Sequence, residues 1–137
     1  IDINNMKEME TKIKNKNDLF DMYYLKTGLL FTCAIKIGAL LGDASKQEIR
    51  LLNKVGRDVG IAYQIRDDLL DCRNFEQTGK DANKDKENGK ITSVSLLGKK
   101  EAEEEFKDLM NGARKNLDKI KRDTSQILEI INFIENG

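Results

Sequence analysis

The chain has 137 residues and sets 24 lysines and arginines against 24 aspartates and glutamates, so it lacks the net basic field that nucleic-acid binding needs. It contains no histidine, which excludes HExxH zinc sites, Ser-His and Cys-His nucleophile pairs and an imidazole base, and no proline to interrupt long helices. Its two cysteines, Cys33 and Cys72, have neither the number nor the spacing of a disulfide framework or zinc site, and the chemistry that remains is that of carboxylates, lysines and a metal.

A charged fraction of 35% beside 39% hydrophobic residues suits a soluble helical protein, long enough to fold as one domain with a core. The chain begins at Ile1 rather than Met and reads as a piece of a longer protein, so any targeting segment would precede it. The compartment, cytoplasm or organelle matrix, is therefore open, although two unpaired cysteines fit a reducing one. No apolar run reaches the length of a membrane span, since Gly28 to Ile35 is stopped by Lys36, and no membrane span is expected.

Residues 1–17 are polar, with Met6, Met9 and Ile13 at helical spacing, and read as a short helix or strap followed by an exposed loop. Asp18 to Leu41 carries a long apolar helical pattern whose buried candidates include Leu19, Met22, Leu25, Leu29, Ala34 and Ile37. Lys26-Thr27-Gly28 interrupts it. A lysine there either extends outward along its aliphatic stem or meets an anion in a cavity. Gly42-Asp43-Ala44-Ser45 reads as a turn, with Ser45 and Glu48 in capping-box spacing for the next helix.

That helix, Ser45 to Asp71, ends in Tyr63-Gln64-Ile65-Arg66-Asp67-Asp68-Leu69-Leu70-Asp71. Asp67 and Asp71 stand at i and i+4, where like charges repel by roughly 0.2–0.5 kcal/mol per pair, and Asp68 adds a third. Helix signals fade at Cys72-Arg73-Asn74, which puts the carboxylates near a C-terminus, where the macrodipole also disfavours them. Gly56, Gly60, Gln64, Asp67 and Asp71 share one arc between apolar flanks, so the glycines are expected to leave space beside the carboxylates. Closely spaced oxygens of this kind suit Mg2+, which takes one or two carboxylates and completes its shell with water and phosphate; a solvated acidic face is the other reading.

Asn74 to Asn88 is a charged loop containing Thr78-Gly79-Lys80-Asp81 and Asp85, followed by Gly89-Lys90-Ile91-Thr92. Asp81, Asn83, Asp85 and Glu87 mimic an EF-hand start, but Lys86 stands where glycine is needed and Thr92 where the bidentate glutamate belongs. Gly89-Lys90 fails as a P-loop because Lys84 replaces the first glycine and Ile91 follows the lysine. What remains is a pair of Gly-Lys elements around an aspartate, either a solvated loop or a phosphate-facing one. Ser93 to Gly98 is a short apolar segment, and Glu101 to Gly137 holds two amphipathic helices, around Phe106, Leu109, Leu117 and Ile120 and then Ile127, Ile130, Ile131 and Ile134. No strand shows alternation, and the class is all-α.

Four stretches, in order, resemble the C-terminal half of trans-isoprenyl diphosphate synthases of the farnesyl and geranylgeranyl type. They are Leu25-Lys26-Thr27-Gly28; Tyr63-Gln64 with Asp67-Asp68-Leu69-Leu70-Asp71; Gly79-Lys80 with Asp85; and Gly89-Lys90-Ile91-Thr92 leading to Leu96-Leu97-Gly98. The resemblance extends from about Asp18 onward and implies the C-terminal part of an isoprenoid synthase helical bundle, homodimeric when intact. It implies a Mg2+-dependent condensation of isopentenyl diphosphate with an allylic diphosphate. Asp67, Asp68 and Asp71 would form the second aspartate-rich motif and hold Mg2+, with Asp85 close to the same metal. Lys26, Lys80 and Lys90 would grip the diphosphate, and Thr27 and Gln64 would face the carbocation. The family's first motif, DDxxD, is absent from these residues, so this chain alone is expected to be inactive. The alternative is a non-catalytic helical subunit or regulator of such a synthase.

Overall fold

The computed structural model describes residue 8, residues 12–78 and residues 91–137, with the backbone only over 75–78. Residue 8 is helical, and the described residues contain no strand and these further helices: α1 (Lys16–Leu41), α2 (Lys46–Thr78), α3 (Ser93–Leu97), α4 (Lys99–Asp118) and α5 (Ser125–Asn136). The all-α expectation holds.

α1 starts where Asn15 caps it, its side-chain oxygen accepting from the Asp18 amide at 2.9 Å. It is one continuous helix, but Tyr24–Gly28 is wound as a π-helix, with Leu29 N–H bonding back to Tyr24 C=O. The wide turn falls on the Lys26-Thr27-Gly28 interruption of the apolar pattern, and single π turns inside α-helices commonly mark functional sites.

The chain then reverses through Gly42 to Ser45, with Asp43 in the left-handed region at φ 57°. The expected capping box opens α2: Ser45 N–H donates to Glu48 Oε1 at 3.0 Å and Glu48 N–H to Ser45 Oγ at 3.1 Å. Arg122, beyond α4, closes the corner from outside. It donates to Glu48 Oε2 at 2.7 Å, to the Gly42 carbonyl at 2.7 Å and to the Asp43 carbonyl at 3.0 Å.

α2 is the central helix. On one side Leu51, Leu52, Val55, Val59 and Ala62 pack with Met110, Ala113 and Leu117 of α4 and Ile131 and Ile134 of α5. On the other, Ile61 and Ile65 pack with Leu19, Phe20, Met22 and Tyr23 of α1 and Ala102 of α4. Each fully buried Leu, Ile or Met side chain contributes on the order of 1.5–3 kcal/mol, so these two clusters hold the bundle.

Two expectations are corrected. α2 does not fade at Cys72 but runs to Thr78, because nothing from Cys72 to Gln77 is glycine or proline; the Asp cluster therefore lies away from the last turn, where the macrodipole penalty would act. Leu29, Ala34 and Ile37 were expected to be buried, yet all three are exposed, Ile37 by 59%, together with Leu30 by 75% and Leu41 by 85%. Gly28 and Thr32 approach α2 most closely, and Phe31, Ile35 and Ala39 pack against the cluster that α2 shares with α4 and α5, while the face carrying Leu30, Ile37, Leu40 and Leu41 stays exposed. By length and composition alone α1 could cross a membrane, a test that the core helix of a soluble protein also passes.

Candidate functional site

Two glycines bring the site together. A Cβ built on Gly60 would lie 2.2 Å from the Gly28 Cα, and one on Gly56 would lie 2.6 Å from Thr32 Oγ1. The glycine arc of α2 thus makes room for the backbone of α1, not for an open space beside the carboxylates as the sequence suggested. Pairing 28 with 60 and 32 with 56 makes the two helices antiparallel.

The close approach sets the π segment of α1 against α2 one turn ahead of Asp67. Gln64 Nε2 donates to Thr27 Oγ1 at 2.5 Å, joining two residues that the sequence assigned to one role. Lys26, beside Thr27, is exposed. The π segment is also gripped from α2 by Arg57, whose Nη2 donates to Asp21 Oδ1 at 3.1 Å while its guanidinium sits 4.9 Å above the Tyr24 ring. That ring lies over Gly28, where a Cβ would come within 2.7 Å of Tyr24 Cδ2.

Burial, followed in order by the charges of Asp71 and Asp68, raises Asp67 above the usual carboxylate range; Arg66 opposes the rise more strongly than either of those two charges adds to it. Asp68 is differently placed. Tyr23 Oη and Ser93 Oγ donate to its Oδ2, the latter at 2.7 Å, and Ser93 N–H does so at 3.0 Å. Burial, and then the Asp68 charge, push the Tyr23 hydroxyl well above the usual phenol range, so it stays a proton donor. Sequence reasoning missed Tyr23 and Ser93, since Tyr23 reads as one more apolar position of α1 and Ser93 lies 25 residues beyond its partner.

Among the described residues, no three His, Cys, Asp or Glu side chains are grouped to hold a metal ion. The donors present still suit Mg2+, which needs one or two carboxylates: Asp67 and Asp71 share a face at i and i+4, and burial, with smaller contributions from the Asp71 and Asp68 charges, disfavours the bare Asp67 carboxylate. Lys80, Asp85 and Lys90 lie outside the described residues.

A family model described as Polyprenyl synthetase matches residues 1–131. The chain is 32% identical over 137 residues to geranylgeranyl pyrophosphate synthase 4 of Arabidopsis thaliana, covering 95% of this chain and 37% of that protein. It is 34% identical over 114 residues to farnesyl diphosphate synthase of Escherichia coli strain K12, covering 80% of this chain and 38% of that one. An FPP/GFPP synthase from Zymomonas mobilis, solved as an apo structure, superposes with a TM-score of 0.76 at 25% identity, covering 96% of this chain and 43% of the other. The chain thus spans about 40% of the length of proteins it matches.

Proposed function

The chain belongs to the polyprenyl synthetase family, and from that premise we propose that it carries the allylic-diphosphate half-site of a Mg2+-dependent prenyltransferase. The observation that supports this most directly is the Thr27–Gln64 hydrogen bond, which puts a hydroxyl and an amide one turn from the three clustered carboxylates.

In the proposed reaction the carbon–oxygen bond of an allylic diphosphate breaks, its electrons leaving with the diphosphate. The double bond of isopentenyl diphosphate then adds to the allylic cation, and the released diphosphate takes up the proton that the adduct loses to complete the product. Lys26, with Lys80 and Lys90 by their sequence positions, balances the charge of the departing diphosphate. Gln64 uses its amide nitrogen on Thr27, so its Oε1 is left as a dipole to face the cation. Such a cation needs surroundings from which water is excluded, since water would capture it. Bound Mg2+ would supply positive charge for the diphosphate, with Asp67 and Asp71 holding it and Asp85 as a further donor from sequence.

The first DDxxD motif does not occur in these residues, so we expect no turnover from this chain alone, and we take the intact enzyme to be a homodimer. Titration calorimetry with a non-hydrolysable allylic diphosphate analogue tests the reading. Mg2+-dependent binding that Asp67→Ala and Lys80→Ala both remove would bear it out. Binding by a folded sample that ignores Mg2+ and both substitutions would reject it.

A further inference from the structure

Asp68 is one of three clustered carboxylates, but it is held unlike its neighbours. Its Oδ2 takes hydrogen bonds from Tyr23 Oη, Ser93 Oγ and Ser93 N, and three donors on one oxygen use up its lone-pair directions. The donors come from two other helices. Tyr23 lies on α1, four residues before Thr27, and Ser93 is the first residue of α3 and fully buried. Ser93 N–H also reaches Tyr23 Oη at 3.1 Å, which closes the triangle.

We propose that Tyr23 and Ser93 are positioning residues that hold Asp68 as a latch between α1, α2 and α3, leaving Asp67 and Asp71, and not Asp68, to face a divalent cation. The cation-facing half of this rests on the function proposed above. Residues one apart on a helix point about 100° from each other, so a carboxylate bound at Asp68 fixes the rotation of α2 about its axis and with it the directions of Asp67 and Asp71. Ser93 stands three residues after Lys90, so the same latch anchors the chain where it returns from the Gly-Lys segment.

The test uses the full chain. In metal-free protein, Tyr23→Phe and Asp68→Ala should each lower Tm, and the double variant should fall no further than the worse single. Calorimetry with Mg2+ and inorganic pyrophosphate should show binding lost in Asp67→Asn. Asp68→Asn, which keeps an acceptor for Tyr23 and Ser93, should weaken binding less than tenfold. Tyr23→Phe should weaken it threefold to tenfold, whereas Ile131→Val, destabilising but remote, should leave it unchanged.

Additive Tm losses would overturn the latch. An Asp68→Asn loss equal to that of Asp67→Asn, or a Tyr23→Phe effect no larger than that of Ile131→Val, would overturn the division among the aspartates. A wild-type chain that binds no Mg2+ with pyrophosphate would refute the functional reading and that division together, while the metal-free cycle still decides the latch.

Discussion

The Cα of Gly28 occupies the place where a side chain on Gly60 would begin, 2.2 Å from an added Cβ. The obstacle is backbone, so it cannot swing aside. Gly60→Ala should therefore push α1 from α2 and cost about 1–3 kcal/mol or more of stability, read by denaturant unfolding. It should also break the Thr27–Gln64 bond, which hydrogen exchange of the segment around Thr27 would report.

Removing one partner of that bond leaves a part-buried donor or acceptor unpaired. Gln64→Leu and Thr27→Val should each cost about 1–3 kcal/mol, and the double variant less than the sum of the two. Full additivity would mean that the contact contributes nothing.

Asp58 is raised from 3.8 to about 6, chiefly by burial, with Arg57 and Lys54 opposing. Its folded value exceeds its unfolded one, so the folded state binds the extra proton and stability falls as pH rises from about 4 to about 6. Asp58→Asn should flatten that slope and stabilise the protein near neutral pH by about 1 kcal/mol after discounting for solvent access. Unfolding series at several pH values check both the sign and the window.

Glu48 shifts the other way, lowered by the Ser45 amide and by Arg122. Its contribution is present above its ordinary value of 4.5 and is lost as pH falls through the lower folded value. Arg122→Ala should remove part of that dependence and lower Tm by a few degrees, because it also frees the Gly42 and Asp43 carbonyls. An unchanged acid limb of the stability curve would count against the clamp.

The exposed Leu30, Ile37, Leu40 and Leu41 give α1 an apolar face. Concentration-dependent self-association is expected by light scattering, weakened by Leu30→Gln with Leu41→Gln. A monodisperse wild-type monomer at high concentration would contradict it.

The helices were legible wherever local signals sufficed: the Ser45–Glu48 box, the Leu19 and Met22 stripe, and the apolar positions of α4. The interruption at Lys26-Thr27-Gly28 was visible, but its π form was not. Gly56 and Gly60 showed only that space existed; what fills it depends on tertiary packing. Tyr23 and Ser93 were invisible for the same reason, as their meeting at Asp68 joins three helices far apart in the chain.

The π turn at Tyr24–Gly28 is in effect one residue inserted into a helix. Deleting a residue there would restore an ordinary α-helix of good local stability, but everything after it would turn by about 100° and shift by about 1.5 Å relative to what precedes it. Thr32 would leave Gly56, and Tyr23 and Thr27 could no longer both meet their partners on α2. Between these two contacts the chain can exchange side chains but not change its length, so residue count is itself under constraint here.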